Sequence, residues 1–341
     1  MRKMFLVMAI VVAWGVFAHD VSAQQKSLYV AGNATYEKMM RPEILPEFEK
    51  KHNVKVEWFP GNSTDTLARL RAKQQVHVAL MDDGPTFQAV ALGLCGKLKP
   101  ETTADLYPLA KIQDSAVGIG FVAAGIGYNG KMFEEKNWPP PSSWHDLENP
   151  KFKKLIAIPG IDNTYGLDTL VMLARLHGGG ENNIDPGFKA MKELVAPNVL
   201  VFESSSGKLS ELFQHGDIAM GVWGSGPFFK VLEETGFPIE FVTPKEGGVT
   251  LLACACTVAG NDMPEIAEDF IRTLLAAKLQ TELASKYEFG PTNSKIELPP
   301  DVAKRVIYGP EAVAKLVSLD WSVMNVHRAE WTERWQREIE R

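Results

Sequence analysis

The alternation of strand, polar loop and helix in the amino-terminal part of the chain constrains the fold more than any other feature. Three apolar segments, 27–32, 54–59 and 76–81, are predicted as strands, and each is followed by a polar loop. Helices are predicted over 37–52 and 66–75, between these strands. Strands that alternate with helices form a parallel sheet covered by helices, so we predict the α/β class. The polar loops should then share one edge of the sheet, where such folds bind ligands.

A second α/β region follows a glycine-rich, nearly uncharged segment, 118–130. The spacing G-x-G-x-x-G occurs within it, but a dinucleotide-binding loop would need an opening strand near the chain start and a following helix. We interpret the segment instead as extended backbone crossing between two lobes, with 244–250 as a second glycine-rich passage. The predicted lobes are discontinuous: one comprises 24–121 with 251–305, and the other comprises 122–250 with 306–341.

Residues 1–23 have the pattern of a secretory signal peptide. A basic start at Arg2 and Lys3 precedes the apolar stretch 4–18, and small residues stand before Gln24. No later apolar run reaches membrane length. We therefore predict export. The more than 300 residues that remain exceed what one core usually covers, so two lobes are expected.

Charge argues against one class of partner. The formal net charge is −6, and no basic patch or arginine-rich stretch occurs. Nucleic-acid binding is therefore not expected.

The three cysteines allow at most one disulfide in an exported protein. Cys254 and Cys256 are two residues apart in a β-like run, so they face the same side and are too constrained to bridge each other. No further metal ligands cluster near them in sequence. We interpret all three cysteines, including Cys95, as small buried hydrophobic residues.

The apolar run 217–223 is predicted as a buried strand, because Gly224, Gly226 and Pro227 interrupt the pattern directly after it. Trp223, at the carboxyl end of this strand, is placed to face a ligand cleft. A core tryptophan beside an ordinary turn is the alternative, and the local pattern does not separate the two.

Two acidic residues follow the third predicted strand. Asp83 stands two residues before Pro85, where a helix N-cap is expected. Asp82 has no such role and is the better ligand candidate, against the alternative of a solvated loop carboxylate. The serines Ser204 to Ser206 are expected to cap a helix, and they also offer hydroxyl and N–H groups to a ligand.

The order and spacing of several motifs resemble the periplasmic solute-binding proteins of ABC transporters, and among them the spermidine/putrescine-binding type of extracellular solute-binding family 1. The motifs are SWHDL at 143–147 with KFK at 151–153, GDIAMGVW at 216–223 and PKEGG at 244–248. No single motif is diagnostic, but together they cover nearly the whole chain after the signal peptide.

This resemblance implies the periplasmic binding protein type II fold, with two lobes, two crossover strands and a ligand cleft. It further implies a monomer that delivers a small solute to an inner-membrane ABC permease, with no catalytic residues, cofactor or metal. The ligand-binding positions it implies, together with neighbours in the same loops, are Thr35, Tyr36, Asp82, Asn163, Tyr165, Asp168, Ser204, Ser205, Trp223, Ser225 and Thr250.

The resemblance also suggests roles for some of these residues. Tyr36 falls on an aromatic contact, Tyr165 and Asp168 fall near the acidic pair that binds amines, and Trp223 falls on the stacking tryptophan. Polyamine binders also carry a tryptophan and an aspartate on a crossover strand, where this chain has Leu252 and Cys254. A mono-amine or zwitterionic solute, held by Asp82 and Asp168 with its carboxylate at Ser204–Ser206, fits this set better than a long diamine.

Other functions are weighed against this prediction. An organic acid or oxyanion binder remains open because of the serine-rich loops, although two acids in the presumed cleft speak against it. A ferric-iron binder is less expected, since no Tyr-Tyr pair occurs. An exported hydrolase is also less expected, since neither G-x-S-x-G nor H-E-x-x-H is present.

Overall fold

The computed structural model describes residues 25–42 and 44–340 of the chain. The predicted signal peptide, 1–23, lies outside the described residues.

Eleven strands are found in the described residues: β1 (Lys26–Gly32), β2 (Val54–Pro60), β3 (Val78–Asp82), β4 (Lys111–Ile112), β5 (Ala116–Asn129), β6 (Ile156–Ile158), β7 (Val199–Phe202), β8 (Met220–Gly224), β9 (Ile239–Val242), β10 (Gly248–Thr257) and β11 (Leu316–Val317).

The α-helices in the described residues are α1 (Ala34–Met40), α2 (Leu45–His52), α3 (Ser63–Arg71), α4 (Asp83–Ala91), α5 (Pro100–Thr103), α6 (Gly130–Glu135), α7 (Thr164–Leu176), α8 (Asp185–Ala190), α9 (Ser206–His215), α10 (Ser225–Thr235), α11 (Pro264–Leu274), α12 (Ala277–Tyr287), α13 (Pro300–Ala303), α14 (Pro310–Val313) and α15 (Trp321–Glu338). Short 3₁₀ turns occur at Pro108–Ala110, Trp144–Glu148, Pro150–Phe152 and Ala196–Asn198, and a π turn at Met191–Val195.

The strands join in one sheet with the order β2-β1-β3-β10-β5-β8-β6-β7, while β11 pairs with β10 and β4 and β9 pair with β5. Strand β1 is parallel to both β2 and β3, as the repeated strand–loop–helix pattern predicts. The α/β class predicted from the sequence is confirmed. The predicted single helix 37–52 is instead two helices, α1 and α2, with Pro42 between them, because proline disfavours a continuous helix.

The glycine-rich segment forms β5, which is fourteen residues long and buried along its whole length. It runs antiparallel to β10 through Val117–Ala124 and antiparallel to β8 through Ala124–Tyr128. The two long strands therefore join the parallel group β2-β1-β3 to the group β8-β6-β7. Glycine is needed at Gly127, because the ring of Phe228 occupies the space that a Cβ would fill.

The side chains pack into separate hydrophobic clusters on the two sides of this junction. One cluster is built on β1, β2 and β3 with α2 and α11, and includes Phe48 and Phe270. Another is built on β6 and α7, and includes Trp144. Trp331 and Trp335 of α15 belong to this second cluster, so the carboxyl-terminal helix forms part of the same core as α7.

All three cysteines are buried, as the sequence suggested, but two of them are bonded to each other. Cys95 and Cys256 form a disulfide, with Cα atoms 5.7 Å apart, and only Cys254 is a free, buried thiol. The chain after α4 returns to the edge of β10, where Cys95 pairs with Val258 in an isolated bridge. This contact spans 161 residues of sequence, so spacing could not reveal it.

Candidate functional site

A cavity of about 400 Å³ opens at the carboxyl ends of β3 and β6, between the two parts of the sheet. Four residues predicted from the sequence line it: Tyr36, Asp82, Asn163 and Tyr165. The remaining lining residues are Val122, Asp162, Thr164, Leu251, Leu252, Ala253 and Phe289. We refer to this cavity as the cleft.

Asp82 ends β3 and precedes the first turn of α4. The Ser63 hydroxyl donates a hydrogen bond of 2.8 Å to Oδ2 of Asp82 and accepts one of 2.9 Å from the Asp82 backbone N–H. The carboxylate reaches solvent in the cleft but is surrounded by protein on its other sides. This desolvation raises the pKa of Asp82, and the Ser63 hydrogen bond opposes it in part. A cation in the cleft would relieve this cost.

Tyr36 lies on α1, on the same side of the cleft as Asp82. The helix begins there because the Asn33 side chain accepts a hydrogen bond of 2.8 Å from the Thr35 N–H. Burial raises the pKa of Tyr36 well above its ordinary value, and the charge of Asp82 adds to the effect. Tyr36 is therefore a neutral phenol, able to donate a hydrogen bond and to offer its ring face. Thr35 itself is exposed and does not line the cleft.

The opposite wall is formed by the loop after β6 and the start of α7. The Asn163 side chain caps this helix by accepting a 2.9 Å hydrogen bond from the Tyr165 N–H. Asp162 stands beside it, and its carboxylate accepts a 3.2 Å hydrogen bond from the Ser204 hydroxyl. Asp162 and Thr164 were not predicted as site residues, although the carboxyl end of a strand was the signal that could have identified them.

Tyr165 extends from the start of α7 into the cleft, with Trp223 packed behind it. The two ring centroids are 5.2 Å apart, with the planes inclined by 42°. Trp223 is only 5% exposed and belongs to a hydrophobic cluster with Phe213 and Phe228. The expectation that Trp223 faces the cleft is therefore wrong, because the Tyr165 side chain fills the space between them.

Three other predicted site residues are buried away from the cleft. Asp168, one turn into α7, is completely buried, and neither carboxylate oxygen has a hydrogen-bond partner among the described residues. Burial raises its pKa well above the ordinary value, and the charge of Asp83 adds to this. Ser225 accepts a 3.3 Å hydrogen bond from the Ala123 N–H, and Thr250 is buried with its hydroxyl unpartnered in the described structure.

The prediction that Asp83 is a helix N-cap is also wrong. Helix α4 begins at Asp83 itself, with Asp82 in the capping position. The buried Asp83 carboxylate accepts hydrogen bonds from the N–H groups of Gly84, at 3.0 Å, and Leu252, at 3.3 Å. Burial and the neighbouring Asp82 raise the pKa of Asp83 to about 7. Asp83 thus joins α4 to β10 instead of closing a helix end.

The serine loop has a more local role than the sequence suggested. Ser205 caps α9 by accepting a 3.4 Å hydrogen bond from the Lys208 N–H, as expected for a serine at this position. Ser204 contacts the cleft only through Asp162. Neither serine lines the cleft, although the cavity next to it reaches Ser206.

The crossover strands supply the apolar wall of the cleft. Val122 comes from β5, and Leu251, Leu252 and Ala253 come from β10. Leu252 therefore lies at the wall, as its sequence position implied, but brings no aromatic face. Cys254 lies two residues further along and is buried, so it brings no charge to the cleft.

A second cavity, of about 600 Å³, adjoins the cleft and shares Val122, Tyr165 and Phe289 with it. It is lined by one face of α9 from Ser206 to Gln214, by residues of α10 and by the end of α12. Its charged lining residues are Glu211, Glu234, Lys286 and Glu288. The Glu288 carboxylate is 2.9 Å from Arg305, and Lys286 is 2.7 Å from Glu282, so much of this charge is already paired.

Known proteins with the same architecture are found by sequence and by structure. The spermidine/putrescine-binding periplasmic protein of Salmonella typhimurium is 25% identical over 308 residues, which cover 85% of this chain and 82% of the relative. The crystal structure of an ABC transporter protein from Clostridium perfringens superposes with a TM-score of 0.82 at 22% identity, covering 92% of this chain and 99% of that one.

A third similar protein is AfuA from Actinobacillus pleuropneumoniae, whose structure contains fructose-6-phosphate. It superposes with a TM-score of 0.69 at 21% identity, covering 93% of this chain and 99% of AfuA. At these identities the two structures establish the fold, which confirms the predicted periplasmic binding protein architecture, and do not identify the ligand.

The described residues include no helix long and apolar enough to cross a membrane. The curated relative is periplasmic, which agrees with the localisation predicted from the sequence. The family model of bacterial extracellular solute-binding proteins matches residues 43–309, well over half of the chain. The chain therefore belongs to the family of bacterial extracellular solute-binding proteins.

Proposed function

We propose that this protein is the substrate-binding component of an ABC importer and captures a small cationic amine in its cleft. The observation that carries the proposal is the charge of the cleft lining. Asp82 and Asp162 bring two carboxylates, whereas the lining contains no lysine or arginine. A cavity with this lining favours a cation and disfavours an anion.

The geometry suggests how an ammonium group is held. Asp82 is the central acceptor, since it is already partly desolvated and its second oxygen is not used by Ser63. The faces of Tyr36 and Tyr165 attract the ammonium and the carbon atoms next to it. Asp162 lies on the opposite wall and provides a second negative charge near the solute.

The size of the solute is limited by the β10 wall. The relative's name indicates that spermidine and putrescine are ligands of that protein. The resemblance implies that polyamine binders carry an aromatic residue and an acid on the strand that corresponds to β10. Here Leu252 is apolar and Cys254 is a buried thiol. A second ammonium group would lack a partner on β10, so we favour a mono-amine or amino acid over a long diamine.

A carboxylate at the other end of the solute would lie in the adjoining cavity, at the start of α9. Ser206 begins α9 there, whereas the charged lining of the cavity consists of Lys286 and three glutamates, Glu211, Glu234 and Glu288. The hydroxyl group and the start of a ten-residue helix favour an anion. The start of α9 is the feature that supports an amino-acid-like zwitterion, with its amine at Asp82 and its carboxylate at α9. The three glutamates of the same cavity oppose that carboxylate, so the amine at Asp82 is the firmer part of the proposal.

An organic acid without an amine is the alternative. It would place its carboxylate in the Ser206 cavity and leave the Asp82 carboxylate unpaired. The two acids of the cleft argue against this ligand, and they argue equally against an oxyanion. Delivery to an inner-membrane permease, action as a monomer and the absence of catalysis are parts of the same proposal.

Calorimetric titration with putrescine, spermidine, amino acids, γ-aminobutyrate and dicarboxylates tests the proposal. We expect micromolar binding of a small amine, about −8 kcal/mol. Asp82→Asn keeps the shape and removes the charge, and should weaken amine binding at least about tenfold. Asp105→Asn, an exposed acid outside the cleft lining, is the matched control. Unchanged or tighter binding by Asp82→Asn would show that the solute is not a cation.

A further inference from the structure

A cluster of two histidines and a glutamate lies outside both cavities. The Nδ1 atom of His145 is 3.0 Å from Oε2 of Glu148, and the Nε2 atom of His177 is 2.7 Å from Oε1 of the same carboxylate. One ligand atom from each residue lies within 4.8 Å of the other two. None of the three lines the cleft or the adjoining cavity.

We propose that His145, Glu148 and His177 form a surface binding site for a divalent transition-metal ion of the zinc class. Two imidazole nitrogens and one carboxylate oxygen are the ligand types that zinc accepts. In a tetrahedral zinc site, ligand atoms about 2.1 Å from the metal are roughly 3.4 Å apart. Small side-chain rotations bring the three groups to this spacing. The inference does not rest on the proposed transport function.

The backbone fixes two of the ligands side by side. His145 and Glu148 lie on the 3₁₀ turn Trp144–Glu148, in which residues three apart are eclipsed. The Ser143 hydroxyl accepts a hydrogen bond of 3.1 Å from the His145 N–H. Trp144 is fully buried, and its indole N–H donates to the Gly247 carbonyl at 2.9 Å. The turn is therefore anchored in the core, and little order must be gained on binding.

The third ligand comes from a separate rigid element. His177 directly follows α7, and its N–H donates to the Leu173 carbonyl at 3.1 Å, which holds it at the helix end. The side chains of His145 and His177 are 47% and 30% exposed, whereas that of Glu148 is 14% exposed. Because the histidines are exposed, water can occupy the remaining coordination positions of a bound metal. Glu148, which is mostly buried, lies between the two histidines.

The ligand set also predicts which ions bind. Imidazole nitrogen suits zinc, nickel and copper, whereas calcium and magnesium prefer sites built from oxygen atoms alone. The site lies at the opposite end of α7 from Tyr165, twelve residues away. At a rise of 1.5 Å per residue this is about 18 Å along the helix. A bound metal would not contact a solute in the cleft.

Titration of tag-free, metal-depleted protein with Zn²⁺ in a calorimeter tests the proposal. We expect saturable binding of one ion, at least about tenfold weaker binding in His145→Ala, His177→Ala and Glu148→Gln, and no saturable binding of Ca²⁺. His327→Ala is the matched control. His327 is also exposed and 3.3 Å from a glutamate three residues on, but no third ligand group converges there among the described residues.

Two results would overturn the proposal. One is the absence of saturable Zn²⁺ binding by the wild-type protein. The other is a loss of affinity in His327→Ala equal to that in His145→Ala, which would indicate non-specific binding to exposed imidazoles. Melting curves of each variant show whether the fold is kept. Amine titrations with and without Zn²⁺ distinguish this site from the cleft. Zinc binding can be absent while the amine binds, and amine binding can be absent while zinc binds.

Discussion

Trp223 packs against the back of Tyr165, with ring centroids 5.2 Å apart, so that Tyr165 presents its ring to the cleft. The sequence analysis assigned the stacking surface of the cleft to Trp223, but the aromatic ring that lines the cleft at this point is Tyr165. We expect Trp223 to affect solute binding only by supporting Tyr165. The two residues should consequently respond differently to truncation.

We expect Trp223→Ala to lower the free energy of unfolding by about 3–5 kcal/mol, because it leaves a large cavity in a buried cluster. Tyr165→Ala should instead weaken amine binding at least about tenfold, with a smaller loss of stability. Urea unfolding and calorimetric titration of both variants check this. A strong loss of affinity in Trp223→Ala without destabilisation would contradict the arrangement of the two rings.

Gly224 should be required for the position of Tyr165. A Cβ at this residue would collide with the hydroxyl of Tyr165, with the Cζ atom 2.9 Å away. We expect Gly224→Ala to push the ring from its place and to weaken solute binding about tenfold. The double variant Gly224→Ala/Tyr165→Phe removes the colliding hydroxyl and should recover part of the affinity. Simple additivity of the two single changes would argue against this coupling.

The contribution of the buried acids Asp83 and Asp168 to stability should fall as the pH rises. Burial raises both folded-state pKa values, that of Asp83 to about 7. Above the unfolded value of about 4, the folded chain holds protons that the unfolded chain has lost. Each group then costs about 1.4 kcal/mol of stability per pH unit up to its folded pKa.

Asp168→Asn tests this dependence, since its oxygens have no hydrogen-bond partners in the described structure that the change would remove. We expect a higher melting temperature than wild type at pH 7, a smaller difference at pH 4, and a shallower slope between them. Asp105→Asn, an exposed acid, should keep the wild-type slope. Parallel slopes in all three proteins would refute the role of Asp168.

The Cys95–Cys256 disulfide should stabilise the amino-terminal part of the sheet. It closes a loop of about 160 residues, which restricts the unfolded chain by about 3–5 kcal/mol. We expect a reductant to lower the melting temperature of the wild-type protein. The Cys95→Ala variant should melt at that lower temperature even when no reductant is present. Thiol titration of the denatured, unreduced chain should detect one thiol. Detection of three would show that the bridge does not form.

Solute binding should bring the two parts of the molecule closer together. They are connected by the paired strands β5 and β10, and the cleft lies at this junction. Closure would bury the solute between Asp82 and Asp162. We expect small-angle scattering to show a smaller radius of gyration with a saturating amine. Asp82→Asn at the same concentration is the control, and identical radii for wild type with and without amine would exclude large closure.

Much of the architecture was accessible from local pattern. The strands β1, β2 and β3 were predicted within two residues at each end, since apolar runs and polar loops are local signals. The family resemblance implied Asp82, Tyr36, Asn163 and Tyr165 as ligand contacts, and these residues meet in the cleft near the ends of strands. Parallel strands carry such loops to a common edge, so their convergence follows from the order of elements alone.

Tertiary packing decided the rest. Whether a side chain is buried depends on which residues pack over it, and these residues come from distant segments of the chain. Tyr165 covers Trp223 and Asp168 is fully buried on α7, so two residues with predicted cleft roles are buried. Asp83, predicted as a helix cap, is buried where β10 meets it. Likewise, Cys95 reaches Cys256, and His177 reaches Glu148, only because the folded backbone returns to the same place. Sequence records which residues are near in the chain, whereas burial and contact depend on which are near in space.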